Sequence, residues 1–161
     1  DFHDAARRVG IRFILTRREA TASFMADAAG QLERRPGVCV STLGPGALNM
    51  VLGVANAYLD RSPVVAITAS LPRSEAPYST HQNLDLNAVY RPFTKATCTL
   101  EGRDTAATIR RAWRLAIEPR MGPVHIALPS DVARCDDREA QEAADADLSV
   151  PSPGPYAKNH F

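Results

Sequence analysis

The sequence predicts one α/β domain built as three layers, α/β/α, around a mainly parallel sheet. Two observations support this prediction. Short β-branched and apolar runs alternate along the chain with longer segments of helical spacing. Some of these runs, such as "PVVAITA" (63–69), are apolar throughout, which is typical of a strand covered by helices on both faces. The 161 residues are enough for one such core.

Two strand–helix units are predicted in the first half of the chain, after an opening helical turn that stops at Gly10. The first unit is a strand over "IRFIL" (11–15) followed by a helix over 19–34. The second is a strand over 37–42 and a helix over 47–60, separated by a Gly-Pro-Gly turn. Repetition of this unit favours parallel strands, because each helix returns the chain to the same end of the sheet.

The second half of the chain is predicted to add three strands, over 63–69, 94–100 and 122–129. A helix over 103–118 precedes the last strand, and Trp113 on its apolar face is predicted to lie in the core. His125 lies inside the last strand, where a hydrogen-bonded sheet residue is favoured over a metal ligand. Residues 134–161 are acidic and then rich in Pro and Ser. We therefore assign the domain to 1–133 and interpret 134–161 as a linker or tail towards a further domain.

Charge and cysteine content argue against several classes of function. The 19 Lys and Arg nearly balance the 18 Asp and Glu, so no overall field attracts nucleic acid or an anionic membrane. Cys39, Cys98 and Cys135 are widely spaced and form no C-x-x-C pair, which disfavours a disulfide framework and a zinc site. No apolar run approaches the ~20 residues of a membrane span. We expect a cytoplasmic protein with reduced thiols and no metal site of its own.

Polar residues follow three of the predicted strands, at the rim where open α/β sheets bind ligands. Glu19 follows the first strand, 41–49 the second and 70–86 the third, so all three are expected on one rim. Thr16 and Glu19 stand three residues apart and also fit a capping box, in which each side chain satisfies a backbone N–H. The residues alone leave two roles open for Glu19, a helix cap and a catalyst.

The Gly-Pro-Gly turn matches a nucleotide-binding loop only in part. Asn49 stands where the third glycine of G-x-G-x-x-G would be, and no Lys-Ser or Lys-Thr follows. A Rossmann module would also need a ribose-binding acid ~20 residues further on. A tight strand-to-helix turn is therefore favoured. No serine or cysteine shows the local signature of an activated nucleophile.

Four separated segments match one family in the same order: "REATASFMADAAGQ", "GVCVSTLGPGALNMVLGVANAYLDRSPVVAITA", "HQNLDL…YRPFTKAT" and "GPVHIALPSDV". Together they resemble the N-terminal, pyrimidine-binding domain of thiamine diphosphate enzymes of the acetolactate synthase type, over about 2–133. Several motifs in register are more specific than any one of them. The resemblance implies the thiamine diphosphate-binding fold, with the N-terminal strand of the family missing from this sequence.

The resemblance implies that Glu19 faces N1′ of the aminopyrimidine of the cofactor. A proton shared between the carboxyl group and N1′ favours the imino tautomer, whose N4′ removes the proton from thiazolium C2. Desolvation would raise the pKa of a glutamate in that place, which suits proton sharing near neutrality. Thr16 remains a candidate cap for the same helix.

The resemblance also implies the other residues of the site. Thr42, Pro45 and Asn49 match the "T-x-G-P-G-x-x-N" loop beside the pyrimidine. Gln82 matches the glutamine of the family's "F-Q-E-x-D" segment beside the cofactor and the substrate, with His81 in the place of the aromatic residue.

The activity implied by the resemblance is decarboxylation or carboligation of a 2-keto acid with thiamine diphosphate. The sequence lacks the "GDG…N" motif that holds Mg²⁺ and the diphosphate in this family. The resemblance therefore implies a diphosphate-binding domain on a partner chain, a homo-oligomer (dimer or tetramer), and an inactive isolated chain. FAD in an adjoining domain is compatible with it. A second hypothesis stays open, in which the chain is a non-catalytic interaction module of the same fold.

Overall fold

The computed structural model describes residues 2–78 and 80–134. In chain order, its helices and strands are α1 (Phe2–Arg8), α2 (Glu19–Glu33), β1 (Gly37–Ser41), α3 (Pro45–Leu59), β2 (Val64–Ser70), α4 (Leu86–Tyr90), β3 (Ala96–Thr99), α5 (Thr105–Ile117) and β4 (Val124–Pro129). Single 3₁₀ turns lie at Arg91–Phe93 and Val132–Arg134. Residues 135–161 lie outside the described residues, so the interpretation of 134–161 as a linker or tail stays a prediction.

The four strands form one parallel sheet in the order β1-β2-β4-β3. Helices α2 and α3 cover one face, where Ala26, Met50 and Val54 pack with sheet residues. Helix α5 covers the other face through Ala112 and Ala116, and Phe2 of α1 packs on the same side. The predicted three-layer α/β/α fold with a parallel sheet is confirmed.

The predicted strands at 37–42, 63–69, 94–100 and 122–129 are confirmed to within two residues at each end. The two central strands are buried along most of their length, which accounts for their continuous apolar sequences. Helix α4 has only five residues, too few for a helical pattern in the sequence. Its start is fixed locally, because the side chain of Asp85 accepts a hydrogen bond from the backbone N–H of Ala88.

The strand predicted over "IRFIL" (11–15) is wrong. These residues form no regular element, and the side chain of Leu15 is 99% exposed. An apolar run becomes a strand only when a neighbouring strand pairs with it, and within the described residues β1 pairs with β2 alone. Residues 11–15 pair with none of the four strands, so their apolar pattern alone does not make them a strand.

Helices α2 and α3 run side by side at very short distance, and this contact positions the polar rim. Their interface contains small and polar residues: Ser23 is fully buried against Gly53, and Asp27 accepts a hydrogen bond from the Asn56 amide at 2.8 Å. Helix α3 begins just after the carboxyl end of β1, and the hydrogen bond between Asn49 and Glu19 shows that α2 begins at the same rim.

His125 is a structural residue of the sheet, as predicted. Its ring is fully buried and stacks on Tyr90 with 4.1 Å between ring centroids. Its Nε2 lies 2.9 Å from the hydroxyl oxygen of Thr68. Trp113 is half-buried and packs against the cluster between α5 and the sheet, which agrees with its predicted place in the core.

Stability is expected to fall in mild acid because of His125. Burial lowers the pKa of His125 to about 4, whereas a histidine in the unfolded chain titrates near 6.5. Between pH 6.5 and 4 the unfolded state therefore binds a proton that the folded state does not, and the free energy of unfolding drops by about 3 kcal/mol. Urea denaturation at several pH values measures this. In His125→Phe, which keeps a ring against Tyr90, the slope between pH 6.5 and 5 should largely disappear; equal slopes in both proteins would contradict the assignment.

No helix of the described residues has both the length and the apolar character that crossing a membrane requires.

Candidate functional site

The site is centred on Glu19, the first residue of α2. Its side chain is half-buried, and its Oε2 accepts a hydrogen bond of 3.3 Å from the Asn49 amide of α3. The positive end of the α2 dipole lies at the same place and stabilises a negative charge there. Contact between α2 and α3 thus places one carboxylate and one amide side by side at the rim.

The capping box predicted as an alternative role for Glu19 is not formed. The helix begins after Arg18, which has extended backbone dihedrals and makes no side-chain cap hydrogen bond. The hydroxyl of Thr16 donates to the carbonyl oxygen of Arg18 at 2.9 Å, so the prediction that Thr16 caps α2 is also wrong. Thr16 lies two residues before the cap position, too early for its side chain to reach the second or third N–H of the helix.

The Gly-Pro-Gly turn brings the start of α3 directly against Glu19. Gly44 has a positive φ of 60°, and Pro45 occupies the first turn of α3, where its fixed φ fits the helix. A Cβ on Gly46 would lie 2.5 Å from Cγ2 of Thr42 and 3.2 Å from Oε1 of Glu19. Glycine at this position lets Thr42 and Glu19 approach the same point.

Gly46→Ala is expected to lower the stability of the chain by crowding the site. The added methyl group must displace Thr42 by several tenths of an ångström and press on the Glu19 carboxylate. We expect a loss of about 1–2 kcal/mol in the free energy of unfolding, which is typical when one added methyl group overpacks a well-packed site. Alanine at Gly122 serves as the control, since a Cβ there meets only the flexible Lys95 side chain at 3.3 Å. Thermal denaturation of both variants checks this; equal stability losses would contradict it.

The segment that follows β2 lies against the Gly-Pro-Gly turn. A Cβ on Gly44 would lie 2.7 Å from Cβ of Gln82, and Gln82 itself has a positive φ of 55°. The Asn83 amide donates to the carbonyl oxygen of Ala76 at 2.7 Å, which holds the segment in its turn. The prediction that the three polar segments share one rim is thus confirmed, although residues 11–15 before Glu19 are not a strand.

His81 and Gln82 are the two site residues predicted from the segment after β2. Both are exposed. Gln82 packs directly against Gly44. Thr42, Asn49 and Glu19 are brought together. Gln82 adjoins them across the turn, and His81 precedes it in the same exposed segment.

Sequence reasoning missed the residue that anchors this segment, Arg73. Its guanidinium donates to Asp131 Oδ2 at 2.8 Å and to the carbonyl oxygen of Glu101 at 2.9 Å. The hydrogen bond from Arg73 holds the pKa of Asp131 below its usual range. Three loops that follow β2, β3 and β4 are therefore tied together. One of these two partners of Arg73 is a backbone carbonyl, so the sequence offered no motif for this anchor.

Other reactive groups of the chain lie elsewhere. Lys95 precedes β3 and therefore lies at the opposite end of the strands from Glu19, where its ammonium group donates to the carbonyl oxygens of Leu115 and Glu118. Burial raises the pKa of the Cys39 thiol to about 12, and burial also raises that of Cys98. Neither thiol is a nucleophile near neutral pH.

The arrangement suits a nitrogen heterocycle better than a phosphate. A carboxylate beside the Gly-Pro-Gly turn would repel a phosphate group, which disfavours the nucleotide-binding interpretation. The same carboxylate can accept a proton from a ring nitrogen or share one with it, and the neighbouring amide can fix its orientation.

Comparison with known proteins identifies the family. The family described as "Thiamine pyrophosphate enzyme, N-terminal TPP binding domain" matches residues 1–89. The chain belongs to this family. The resemblance found from the motifs is thereby confirmed.

The curated relatives that the chain matches include acetolactate synthases. The chain is 40% identical over 132 residues to a probable acetolactate synthase large subunit of Methanocaldococcus jannaschii, covering 81% of the chain and 22% of the relative. It is 35% identical over 130 residues to an acetolactate synthase of Bacillus subtilis, covering 80% of the chain and 23% of the relative. It is 33% identical over its whole length to an acetolactate synthase large subunit of Buchnera aphidicola, of which it covers 28%. The chain spans about a quarter of the length of these relatives.

Proposed function

We propose that the chain is the pyrimidine-binding domain of an acetolactate synthase-like enzyme, which decarboxylates a 2-keto acid and joins the product to a second carbonyl compound. The observation that supports this most directly is the Glu19 carboxylate, oriented by Asn49 and left out of any helix cap. The names of the similar proteins support the acetolactate synthase type of reaction.

The residues fit the aminopyrimidine part of thiamine diphosphate. Glu19 has one oxygen held by Asn49, and its other oxygen faces the rim beside Gly46, where it would hold a proton against N1′. Thr42 and Pro45 would form the wall beside the ring, and Gln82, with His81 next to it, would face the substrate. When bound, the cofactor supplies the carbon that attacks the keto carbonyl and the electron sink for loss of CO₂.

The site requires a second domain to enclose the cofactor. We propose that the diphosphate-binding domain of a partner chain covers it in a homo-oligomer, a dimer or tetramer. Large apolar side chains on the outer surface of α2 and α3 support this, because such a surface is costly in water. They are Phe24, Met25, Leu48, Leu52 and Leu59, each at least 41% exposed.

The proposal also covers the Mg²⁺ ion, FAD and the cellular compartment. Mg²⁺ would be held with the diphosphate on that other domain; within residues 2–78 and 80–134, no group of three His, Cys, Asp or Glu side chains is placed to hold a metal ion. FAD, where the complete protein contains it, would occupy an adjoining domain. A cytoplasmic enzyme agrees with the free thiols of Cys39 and Cys98.

The test is CO₂ release by the chain completed with its diphosphate-binding domain. Pyruvate and a panel of other 2-keto acids are supplied with Mg²⁺, with and without thiamine diphosphate. Release that requires thiamine diphosphate is the expected result. If the complex assembles yet releases no CO₂ from any keto acid, the non-catalytic interaction module is the correct interpretation.

A further inference from the structure

The outer face of α5 carries an arginine cluster that the proposed function does not use. Arg110, Arg111 and Arg114 line a groove of about 490 Å³ together with Ala107, Leu115 and Glu118. Within residues 2–78 and 80–134, no carboxylate lies within ion-pairing distance of the three arginines. Helix α5 itself contains no acidic residue, so the groove keeps a net positive charge even with Glu118 at its end.

The described chain ends close to the start of the same helix. The last 3₁₀ turn, Val132–Arg134, packs near the loop before α5, since a Cβ on Gly102 would lie 3.9 Å from the Val132 methyl groups. Directly after Arg134 the sequence becomes strongly acidic. Between 135 and 147 it contains one arginine, Arg138, and six acids: Asp136, Asp137, Glu139, Glu142, Asp145 and Asp147.

We propose that residues 136–147 of the chain dock onto the groove formed by Arg110, Arg111 and Arg114. The charges are complementary, and the acidic segment begins where the described chain passes the start of α5. The segment is long enough to reach the three arginines, since α5 is ~20 Å long and twelve extended residues span up to ~40 Å. The docked segment fixes the direction in which the chain leaves the domain, on the face of the sheet opposite to α2 and α3.

Carbodiimide cross-linking of the complete chain tests this docking. Arg111→Lys and Arg114→Lys keep the positive charge and introduce an amine. The carbodiimide activates a carboxylate in contact with that amine, the amine forms an amide with it, and the carbodiimide leaves as a urea. Arginine does not react in this way. Peptide mass spectrometry then identifies the joined residues. Arg35→Lys is the matched control, because Arg35 lies after α2 and forms an ion pair with Glu33; its cross-link to Glu33 shows that the chemistry works.

Cross-links from positions 111 and 114 to acids within 136–147 are the expected result, and the control variant should form none to that segment. Their yield should fall roughly tenfold between ~0.05 and ~1 M salt, as the Debye length shrinks to ~3 Å. Changing Asp136, Asp137, Glu139 and Glu142 to their amides should abolish most of them. Two results would overturn the proposal. In one, the cross-links are confined to Glu118; in the other, a mixture of isotopically light and heavy protein shows that they form only between chains. Circular dichroism of each variant ensures that the fold is retained.

Discussion

Glu19→Gln is expected to reduce kcat for CO₂ release by about 10²–10⁴-fold, the range typical of removing a proton-transfer group. Glutamine has the same shape and keeps an oxygen that Asn49 can reach, but it cannot share a proton with a ring nitrogen. The measurement is steady-state CO₂ release by the chain completed with its diphosphate-binding domain. Binding of thiamine diphosphate, followed separately by titration, should change far less than kcat.

The matched control is Glu33→Gln, the same substitution at the other end of α2. Glu33 is exposed and forms a surface ion pair with Arg35, so its loss should leave kcat unchanged and alter stability by less than ~1 kcal/mol. If Glu19→Gln were as active as Glu33→Gln, the role assigned to Glu19 would be wrong. The proposed enzyme activity would survive that outcome, since it rests on release by the unmodified protein.

The fold could be predicted from the sequence wherever burial alone decides the structure. Strand β2 is covered on both faces, so its run of apolar residues has only one interpretation. Residues 11–15 show the limit of the method. Their composition equals that of a strand, but their structure depends on a pairing partner, and no local pattern states whether that partner is present.

The candidate site could be predicted only in part, for a related reason. Glu19 and Asn49 are 30 positions apart in the sequence, and family motifs grouped them before the structure placed them 3.3 Å apart. The choice between cap and open carboxylate depended on where α2 begins, a boundary that periodicity leaves uncertain by a few residues. The Arg73 anchor joins three loops from distant parts of the chain, so no local motif could reveal it.

Gly53→Ala is expected to destabilise the chain by about 3 kcal/mol, at the upper end for one added methyl group. A Cβ at this position would lie 2.3 Å from the Ser23 hydroxyl oxygen, 2.7 Å from the Phe24 nitrogen and 2.8 Å from the Ser23 carbonyl carbon. Two of these atoms belong to the backbone of α2, so a rotamer change cannot relieve the contact. Urea denaturation of the variant measures the loss.

The sign of the Gly53→Ala effect is informative, because helix propensity alone predicts the opposite. Alanine in the interior of a helix is favoured over glycine by ~1 kcal/mol, so a stabilised variant would mean that α2 and α3 are further apart than the structure shows. Adding Ser23→Ala removes the nearest contact but leaves both backbone contacts, and the double variant should stay destabilised. Because the same contact aligns Glu19 with Asn49, any Gly53→Ala protein that folds should also release CO₂ more slowly. A folded variant with lowered stability and full activity would show that the site tolerates movement of α2, and the close packing of these helices would then serve the fold alone.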